Sequence, residues 1–305
     1  MKRIIVLGAS GMLGHKVFET LSKNREFDVY GTVTSKNSFA GLLPNIFDLK
    51  IFDGVYANKI DTVESIIKSL HPDIVINCIG IIKQNKSSNI RDCIEINALF
   101  PHLVSELCEK NNCRFITIAT DCVFDGKSGN YHEDDEPTCH DVYGMTKYLG
   151  EVSDRTNTLT LRTSIIGHEL SSNISLINWF LSQEATVKGY KKAIFSGLTT
   201  LEFSRLLINK IIPNDKLFGL HHISARPISK HDLLTIVAEI YQKKIIISAD
   251  ESIEIDRSLD SDKFKISIDY DVPSWNKLIF DMYNDFLGSE FYKHNRDQYA
   301  KNNKF

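Results

Sequence analysis

The sequence lacks the long apolar runs that membrane proteins need. No uninterrupted apolar stretch approaches the roughly 20 residues that a helix requires to span a bilayer. Residues 1–8 lead directly into a strand-like run and show none of the successive segments of a secretion signal. We therefore expect a cytoplasmic protein without a membrane partner.

The sequence also lacks a strong charge excess and any pattern of metal ligands. Its formal net charge is −3, so no strong positive field is available to hold a phosphate backbone, and nucleic acid is not an expected partner. The six cysteines include no C-x-x-C pair, which signals neither a zinc site nor a dithiol redox motif. The ten histidines show no ligand spacing beyond the adjacent His221 and His222, which would face opposite sides of a strand. No metal is expected.

Internal repeats and glycine-rich or proline-rich linkers are absent as well. The composition, with 42% hydrophobic and 25% charged residues, is that of an ordinary globular protein. In the first half of the chain, short apolar runs alternate with longer amphipathic segments, which is typical of βαβ units around a parallel sheet. The predicted strands are 3–8, 27–33, 73–78, 114–119 and 158–162, and predicted helices between them include 12–23, 61–70 and 90–111.

The first predicted strand ends in a glycine-rich turn that opens the first predicted helix. Residues 8–14 read G-A-S-G-M-L-G, a G-x-x-G-x-x-G pattern. Such a turn lets the backbone approach a pyrophosphate, whose charge is then met by the helix N-terminus. A turn with a purely structural role is the alternative. The predicted cofactor contacts in the turn are Gly8, Ser10, Gly11, Met12, Leu13 and Gly14.

These patterns predict a fold and a division of the chain. The predicted fold class is α/β, with a Rossmann-type doubly wound parallel sheet and a smaller C-terminal α/β substrate-binding lobe. Residues 1–163 are expected to form the dinucleotide-binding domain, which also carries the catalytic residues. Residues 164–292 are expected to form mainly the substrate-binding lobe, with some segments returning to the Rossmann domain, and residues 293–305 a polar tail.

The end of the second predicted strand indicates which dinucleotide is bound. NAD-binding chains usually carry a carboxylate there for the ribose 2′-hydroxyl, whereas this chain has Thr34, Ser35 and Lys36. These residues suit an added 2′-phosphate, which a carboxylate would repel. NADPH is therefore the expected cofactor, with NADH as the alternative. Asp53 is a candidate contact to the adenine edge, or a plain turn residue.

A candidate catalytic group is formed by Tyr143, Lys147 and Thr120. On a helix, Tyr143 and Lys147 lie one turn apart on the same face, and the ammonium of Lys147 is expected to lower the pKa of Tyr143. The phenol can then give a proton to a carbonyl oxygen that Thr120, at the end of a parallel strand, also holds. The alternative is a tyrosine packed in the core and a solvated lysine.

Six segments resemble the extended short-chain dehydrogenase/reductases, and within them the dTDP-4-dehydrorhamnose reductases. The resemblance covers most of the chain, and its most specific part is T-D-x-V-F-D-G followed by Y-G-x-x-K. The segments are G-A-S-G-M-L-G at 8–14, P-D-I-V-I-N-C at 72–78, E-I-N-A at 95–98, T-D-C-V-F-D-G at 120–126, V-Y-G-M-T-K at 142–147 and L-R-T-S at 161–164.

The resemblance implies roles for further residues. Asn97 would support Lys147 in a triad with Thr120 and Tyr143, and Lys147 would also contact the cofactor. The 4-keto group of a nucleotide-linked 6-deoxyhexulose, bound between the lobes, would be reduced during synthesis of cell-surface polysaccharide precursors. The implied cofactor contacts are Cys78, Ile79 and Gly80; the implied sugar contacts are Lys83, Asp121 and Cys122; the implied contacts at the nucleotide end are Gly197, Arg226 and Arg257.

Two departures from the family leave the sugar open. Cys122 replaces a frequent tyrosine, and residues 80–84 differ from the usual run. Substrates of the dTDP-4-dehydrorhamnose type and of the UDP-2-acetamido-2,6-dideoxyhexulose type both remain. An epimerase or dehydratase on the same fold and a non-catalytic NADP-binding regulator are the competing functions, and a homodimer is one option for the assembly.

Overall fold

A computed structural model describes residues 1–37, 49–82 and 89–302, with side chains described as far as residue 297. The strands are β1 (Lys2–Leu7), β2 (Phe27–Thr32), β3 (Ile51–Phe52), β4 (Ile74–Asn77), β5 (Arg114–Thr120), β6 (Thr158–Thr163), β7 (Ile165–Ile166), β8 (Thr186–Phe195), β9 (Leu198–Thr199), β10 (Gly219–His222), β11 (Ile228–Ser229) and β12 (Ile246–Asp256).

The helices flank these strands, and within the described residues none is long and apolar enough to cross a membrane. They are α1 (Met12–Ser22), α2 (Ile60–Leu70), α3 (Ile90–Cys93), α4 (Phe100–Lys110), α5 (Val142–Leu149), α6 (Leu176–Ser182), α7 (Thr200–Leu206), α8 (Lys230–Ile240), α9 (Asp262–Ile268), α10 (Trp275–Gly288) and α11 (Lys293–Asn302). One π-helical turn, Ile94–Leu99, joins α3 to α4, and another, Leu207–Ile211, ends the helix that begins with α7.

The main sheet is parallel, with the strand order β10-β6-β5-β4-β1-β2-β3. From β1 the chain first adds β2 and β3 on one side of the sheet. It then crosses to the other side of β1, where β4, β5, β6 and β10 follow in that order. The order therefore reverses between β1 and β4, and in open α/β sheets ligands bind at the carboxyl ends of the strands at such a switch point. The predicted Rossmann-type α/β class is confirmed.

Strand β1 is apolar and buried from Ile4 to Leu7 because helices cover both faces of the sheet. Ile4 and Val6 point into one buried cluster, and Ile5 and Leu7 into the other. This alternation follows from the two-residue period of a strand, and it explains why the sequence shows a continuous apolar run. Each fully buried aliphatic side chain stabilises the fold by about 1.5–3 kcal/mol.

The helix predicted over 90–111 is a single helical rod with an irregular centre. Helices α3 and α4 are joined by the π-helical turn Ile94–Leu99, which holds Asn97 in a buried position. Such turns insert one extra residue and frequently occur at functional sites. The turn therefore lets the rod present Asn97 toward the end of β4.

Residues 164–292 serve two parts of the structure. Strands β11, β8 and β12 form a separate three-stranded sheet, whereas β10 joins the edge of the main sheet beside β6. Within the described residues, the segment expected as a polar tail forms α11, and Asn295 donates a hydrogen bond of 3.1 Å to the carbonyl oxygen of Glu169.

Candidate active site

The glycine-rich turn leaves β1 with a geometry that only glycine permits at two positions. Gly8 has φ = +77°, a left-handed conformation that other residues rarely adopt. A Cβ at Gly14 would overlap the carbonyl oxygen of Gly8. Helix α1 can therefore start directly above the end of β1.

Gly11 is the N-cap of α1, and no side chain caps this helix end. The first-turn N–H groups consequently lack side-chain partners, and together with the helix dipole they favour an anion. Gly11 is exposed, and a Cβ there would meet only the Gly8 oxygen at an ordinary 3.5 Å. Packing within the protein therefore does not require glycine at position 11. A glycine there is instead explained by close approach of a pyrophosphate to the backbone. Ser10, Met12 and Leu13 are partly exposed around this turn.

The end of β4 lies beside the turn, as the cofactor assignment requires. A Cβ at Gly8 would stand 2.8 Å from Cγ1 of Ile79, so the two segments are in contact. Asn77 at the end of β4 accepts a hydrogen bond of 3.0 Å from the N–H of Ile79. Burial raises the pKa of the neighbouring Cys78 thiol to about 12, which keeps it neutral and unreactive.

Asp53 holds the loop that follows β2. Its Oδ1 accepts hydrogen bonds from the N–H groups of Lys36, at 2.8 Å, and Gly54, at 2.9 Å. These contacts favour the turn role over a direct adenine contact. Thr34 is exposed, while Ser35 and Lys36 are partly exposed, so the three residues expected to meet a 2′-phosphate are accessible.

Thr32 was not predicted from the sequence, although it connects β2 to the glycine turn. Its Oγ1 accepts a hydrogen bond of 3.1 Å from the N–H of Gly8, and its carbonyl oxygen accepts one of 2.9 Å from Ala9. A threonine at the end of an apolar strand is an ordinary β residue, so local sequence offers no signal for this role.

The three predicted catalytic residues meet at the carboxyl end of β5. Thr120 is the last residue of β5, and Tyr143 lies in the first turn of α5, which Asp141 caps by accepting a hydrogen bond of 3.0 Å from Gly144. The Thr120 hydroxyl lies close enough to Tyr143 to lower the pKa of its phenol. Topology thus brings a proton donor and a second hydroxyl together at the carboxyl end of the sheet, where β4 lies between β5 and the strand that leads into the glycine turn.

Burial raises the pKa of Tyr143 well above its usual value of 10. The nearby Cys122 adds to this effect, and the Thr120 hydroxyl opposes it. Lys147 is not among the main causes of this shift, so the lowering of the Tyr143 pKa that was expected from its ammonium is not observed. Burial dominates because a phenolate in a buried site loses its hydration. Tyr143 is a neutral phenol at physiological pH, the form that can donate a proton.

Lys147 is buried one turn after Tyr143 and ties α5 to β5. Its Nζ donates a hydrogen bond of 2.6 Å to the carbonyl oxygen of Ile118. Burial lowers the pKa of Lys147 to about 8, and the charge of Glu151 opposes this shift. The ammonium is therefore present at neutral pH but is close to its titration.

Asn97 organises the segment after β4 rather than contacting Lys147 through a hydrogen bond. Its Nδ2 donates to the carbonyl oxygen of Ile81 at 3.0 Å, and its Oδ1 accepts from the N–H of Ile81 at 2.8 Å. A Cβ at Gly80 would lie 3.5 Å from Oδ1 of Asn97 and 3.9 Å from Nζ of Lys147. Gly80 therefore lies next to both polar groups.

The sequence does not predict the buried ion pair of Arg162 and Glu151 near Lys147. Nε and Nη2 of Arg162 donate to the two carboxylate oxygens of Glu151 at 2.7 and 2.8 Å, and both side chains are about 5% exposed or less. The available signal was the spacing of Lys147 and Glu151, which are four residues apart on α5 and the segment following it. The pair places a negative charge near the ammonium of Lys147.

Three predicted substrate residues lie together beside the triad. Nη1 of Arg257 is 3.9 Å from Sγ of Cys122, and its Nε donates to the carbonyl oxygen of Phe124 at 2.7 Å. Burial raises the pKa of Asp121, and burial with the charge of Asp121 raises that of Cys122 to about 12. Arg257 is therefore located at the sugar end of the predicted site rather than at its nucleotide end.

Of the other implied substrate contacts, Gly197 and Arg226 are not brought to this point. A Cβ at Gly197 would overlap the carbonyl oxygen of Ser164, so close backbone packing accounts for that glycine. Arg226 has an exposed side chain on the loop between β10 and β11. Lys83 lies outside the described residues.

Comparison with known proteins identifies the family. A family model described as the RmlD substrate binding domain matches residues 1–286. The chain belongs to this RmlD family. The dTDP-4-dehydrorhamnose reductase of Aggregatibacter actinomycetemcomitans is 27% identical over 260 residues, which cover 81% of the chain and 82% of that protein. The predicted resemblance is confirmed.

Other similarities of this RmlD-family chain are partial or structural. Methionine adenosyltransferase 2 subunit beta of Danio rerio is 28% identical over 152 residues, which cover 49% of the chain and 42% of that protein. The crystal structure of a dTDP-4-dehydrorhamnose reductase from Bacillus anthracis in complex with NADP superposes with a TM-score of 0.75 at 20% identity, covering 93% of this chain and 99% of that one. The structural match supports the fold.

Proposed function

We propose that this RmlD-family protein uses NADPH to reduce the 4-keto group of a nucleotide-activated 6-deoxyhexulose during synthesis of cell-surface polysaccharide precursors. The observation that carries the proposal is the placement of Thr120 at the end of β5 and Tyr143 in the first turn of α5, at the sheet edge that also holds the glycine turn. The similarity to a dTDP-4-dehydrorhamnose reductase supports the substrate class. Substrates of the dTDP-4-dehydrorhamnose and UDP-2-acetamido-2,6-dideoxyhexulose types are both candidates.

The residues at this edge are suited to proton transfer to a ketone. When bound, the reduced nicotinamide supplies the hydride that adds to C4 of the sugar. Tyr143 donates its phenolic proton to the ketone oxygen, so that the C=O bond becomes H–C–OH. Thr120 holds the same oxygen, and the ammonium of Lys147 stabilises the negative charge that remains on Tyr143.

The glycine-rich turn and the residues after β2 fit NADPH. The uncapped N-terminus of α1 suits the pyrophosphate, and the accessible Thr34, Ser35 and Lys36 suit the 2′-phosphate. No carboxylate lies among residues 31–36 to favour NADH by binding a free ribose 2′-hydroxyl. NADH is expected to bind more weakly.

The test is NADPH oxidation by the purified protein with each 4-keto sugar nucleotide in turn. We expect one NADPH to be consumed for each ketone reduced, with the product analysed by NMR. Sugar conversion without net NADPH consumption would indicate an epimerase or dehydratase instead. Absence of conversion with both substrate types would overturn the proposal.

A non-catalytic regulator is the second candidate, because part of the chain resembles a protein named as a subunit of methionine adenosyltransferase. A regulator has no need for a proton donor, whereas this chain retains Thr120, Tyr143 and Lys147 in one place. Isothermal titration separates the two functions. NADPH binding without turnover of any sugar nucleotide would favour the regulator.

We also propose a homodimer formed through α3, the π-helical turn Ile94–Leu99 and α5. These helices carry apolar side chains that are at least 40% exposed, and a twofold axis would pair this face with itself. Sedimentation should show a dimer that a Met145→Glu, Leu149→Glu variant converts to a monomer. Ile266→Glu, at an exposed position on α9, is the control and should remain dimeric. The apolar residues of this face are Ile90, Ile94, Leu99, Val142, Met145 and Leu149.

A further inference from the structure

His15 connects the glycine turn to the C-terminal part of the chain. Its Nδ1 is 2.8 Å from the carbonyl oxygen of Gly11, and its Nε2 is 2.8 Å from the hydroxyl oxygen of Tyr292. His15 is fully buried, and Tyr292 is 1% exposed. The two hydrogen bonds therefore form a chain from residue 292 to the N-cap of α1 without competition from water.

The directions of these hydrogen bonds follow from the chemistry of the groups. A carbonyl oxygen can only accept, so Nδ1 of His15 must carry the proton that it donates to Gly11. Burial and the charge of Lys16 lower the pKa of His15 to about 4, so the ring is neutral and its Nε2 is an acceptor. Tyr292 must then donate its hydroxyl proton to Nε2. Tyr292 thereby fixes both the tautomer and the ring orientation of His15.

The orientation of His15 affects the glycine-rich turn because the peptide group between Gly11 and Met12 is planar. The Gly11 oxygen accepts both from Nδ1 of His15 and, at 3.0 Å, from its backbone N–H. In a trans peptide the N–H of Met12 points opposite to this oxygen. Holding the oxygen inside α1 therefore directs the Met12 N–H out of the helix end, where an anion binds.

Tyr292 is itself held in place by a buried network on α1. Nζ of Lys16 lies 4.6 Å from the centre of the Tyr292 ring and pairs with Asp285 at 2.6 Å and with Glu19 at 2.5 Å. Ser289 donates to the Glu19 carboxylate at 2.6 Å. These contacts attach residues 285–292 to the buried face of α1, so the tyrosine hydroxyl has a defined position.

We propose that Tyr292 is a positioning residue for the dinucleotide and acts through His15 on the peptide between Gly11 and Met12. The C-terminal segment then contributes to NADPH affinity although it does not contact the cofactor. This inference rests on the proposed function, because it assumes that the turn binds NADPH.

The same region contains a matched control. Nε2 of His168 is 2.8 Å from the hydroxyl oxygen of Tyr241, the same separation as in the pair of His15 and Tyr292. His168 is also buried, and its ring centre is 5.4 Å from that of Tyr292. Its Nδ1, however, faces Asn178 and not the glycine turn. Loss of this hydroxyl should affect stability without affecting the turn.

The experiment compares Tyr292→Phe with Tyr241→Phe in the full chain. One neutral hydrogen bond corresponds to about a fivefold change in an equilibrium constant. We expect Tyr292→Phe to raise the Kd and the KM for NADPH about fivefold, while kcat at saturating NADPH and the KM for the sugar nucleotide stay unchanged. Tyr241→Phe should leave the Kd for NADPH unchanged, even if it lowers the Tm as much as Tyr292→Phe does.

Two further results decide the inference. Adding Tyr292→Phe to a His15→Phe variant should produce no additional loss of NADPH affinity, since the path is already broken. An unchanged Kd in Tyr292→Phe, or equal increases in both tyrosine variants, would overturn the inference while leaving the proposed function intact. Failure of the unmodified protein to bind NADPH would overturn both.

Discussion

Lys147 on α5 donates a hydrogen bond from its Nζ to the carbonyl oxygen of Ile118, two residues before the end of β5, at 2.6 Å. This contact joins the helix that carries Tyr143 to the strand that carries Thr120. It also keeps a cation in a buried position, where its charge acts strongly on a phenolate formed nearby. In the proposed reaction, Lys147 therefore has both an orienting and an electrostatic role.

Replacement of Tyr143 by phenylalanine should remove catalysis and preserve cofactor binding. The variant keeps the aromatic ring but loses the proton donor, and general acid catalysis contributes about 10²–10⁴-fold to a rate. We expect kcat to fall by about that factor with an unchanged Kd for NADPH. Tyr148→Phe, which removes an exposed hydroxyl from the same helix, should be fully active. A normal rate in Tyr143→Phe would disprove the assigned role.

The rate should decrease as the pH rises through about 8, the value to which burial lowers the pKa of Lys147. Above this pH the lysine becomes neutral and no longer stabilises the phenolate that proton donation creates. Tyr143 keeps its proton over the same range because its own pKa is raised above 10. The measurement is kcat as a function of pH at saturating substrates.

Lys147→Arg is the control for this pH dependence. A guanidinium stays charged throughout the range, so the decrease near pH 8 should disappear even though misplacement of the larger group lowers the maximal rate. If the variant retained the same decrease, another group would have to be responsible.

The sequence predicts the central parts of the site because their signals are local. A strand, a G-x-x-G-x-x-G turn and a helix are consecutive, so Gly8 and Gly14 could be assigned without knowledge of the fold. Thr120 and Tyr143 are 23 positions apart, but the rule that parallel strands bind ligands at their carboxyl ends brings them together.

The remaining features depend on contacts that the sequence does not encode locally. His15 and Tyr292 are 277 positions apart, and a histidine within an amphipathic helix gives no indication of its partner. The π-helical turn around Asn97 was predicted as ordinary helix, because one extra residue hardly alters apolar spacing. Gly197 was assigned to substrate binding, but its proximity to Ser164 becomes visible only in three dimensions.

Charge reversal of Lys36 should change the cofactor preference. A carboxylate at the end of β2 repels a 2′-phosphate and can accept a hydrogen bond from a free ribose hydroxyl. In Lys36→Glu we expect the KM for NADPH to rise about tenfold or more and the KM for NADH to change little or fall. Lys216→Glu, exposed near the opposite edge of the main sheet, is the matched charge control. Equal effects on both cofactors would argue against a 2′-phosphate contact.

Replacement of Gly14 by alanine should damage the turn itself. The added methyl group would overlap the carbonyl oxygen of Gly8, and relief of this overlap requires the start of α1 to move away from β1. We expect a loss of about 1–3 kcal/mol in the free energy of unfolding, measured in urea, and more than a tenfold increase in the Kd for NADPH. Gly288→Ala adds the same methyl group at the end of α10, where no atom lies within 4 Å, and should leave both quantities unchanged. Wild-type affinity in Gly14→Ala would mean that the dinucleotide does not depend on this turn.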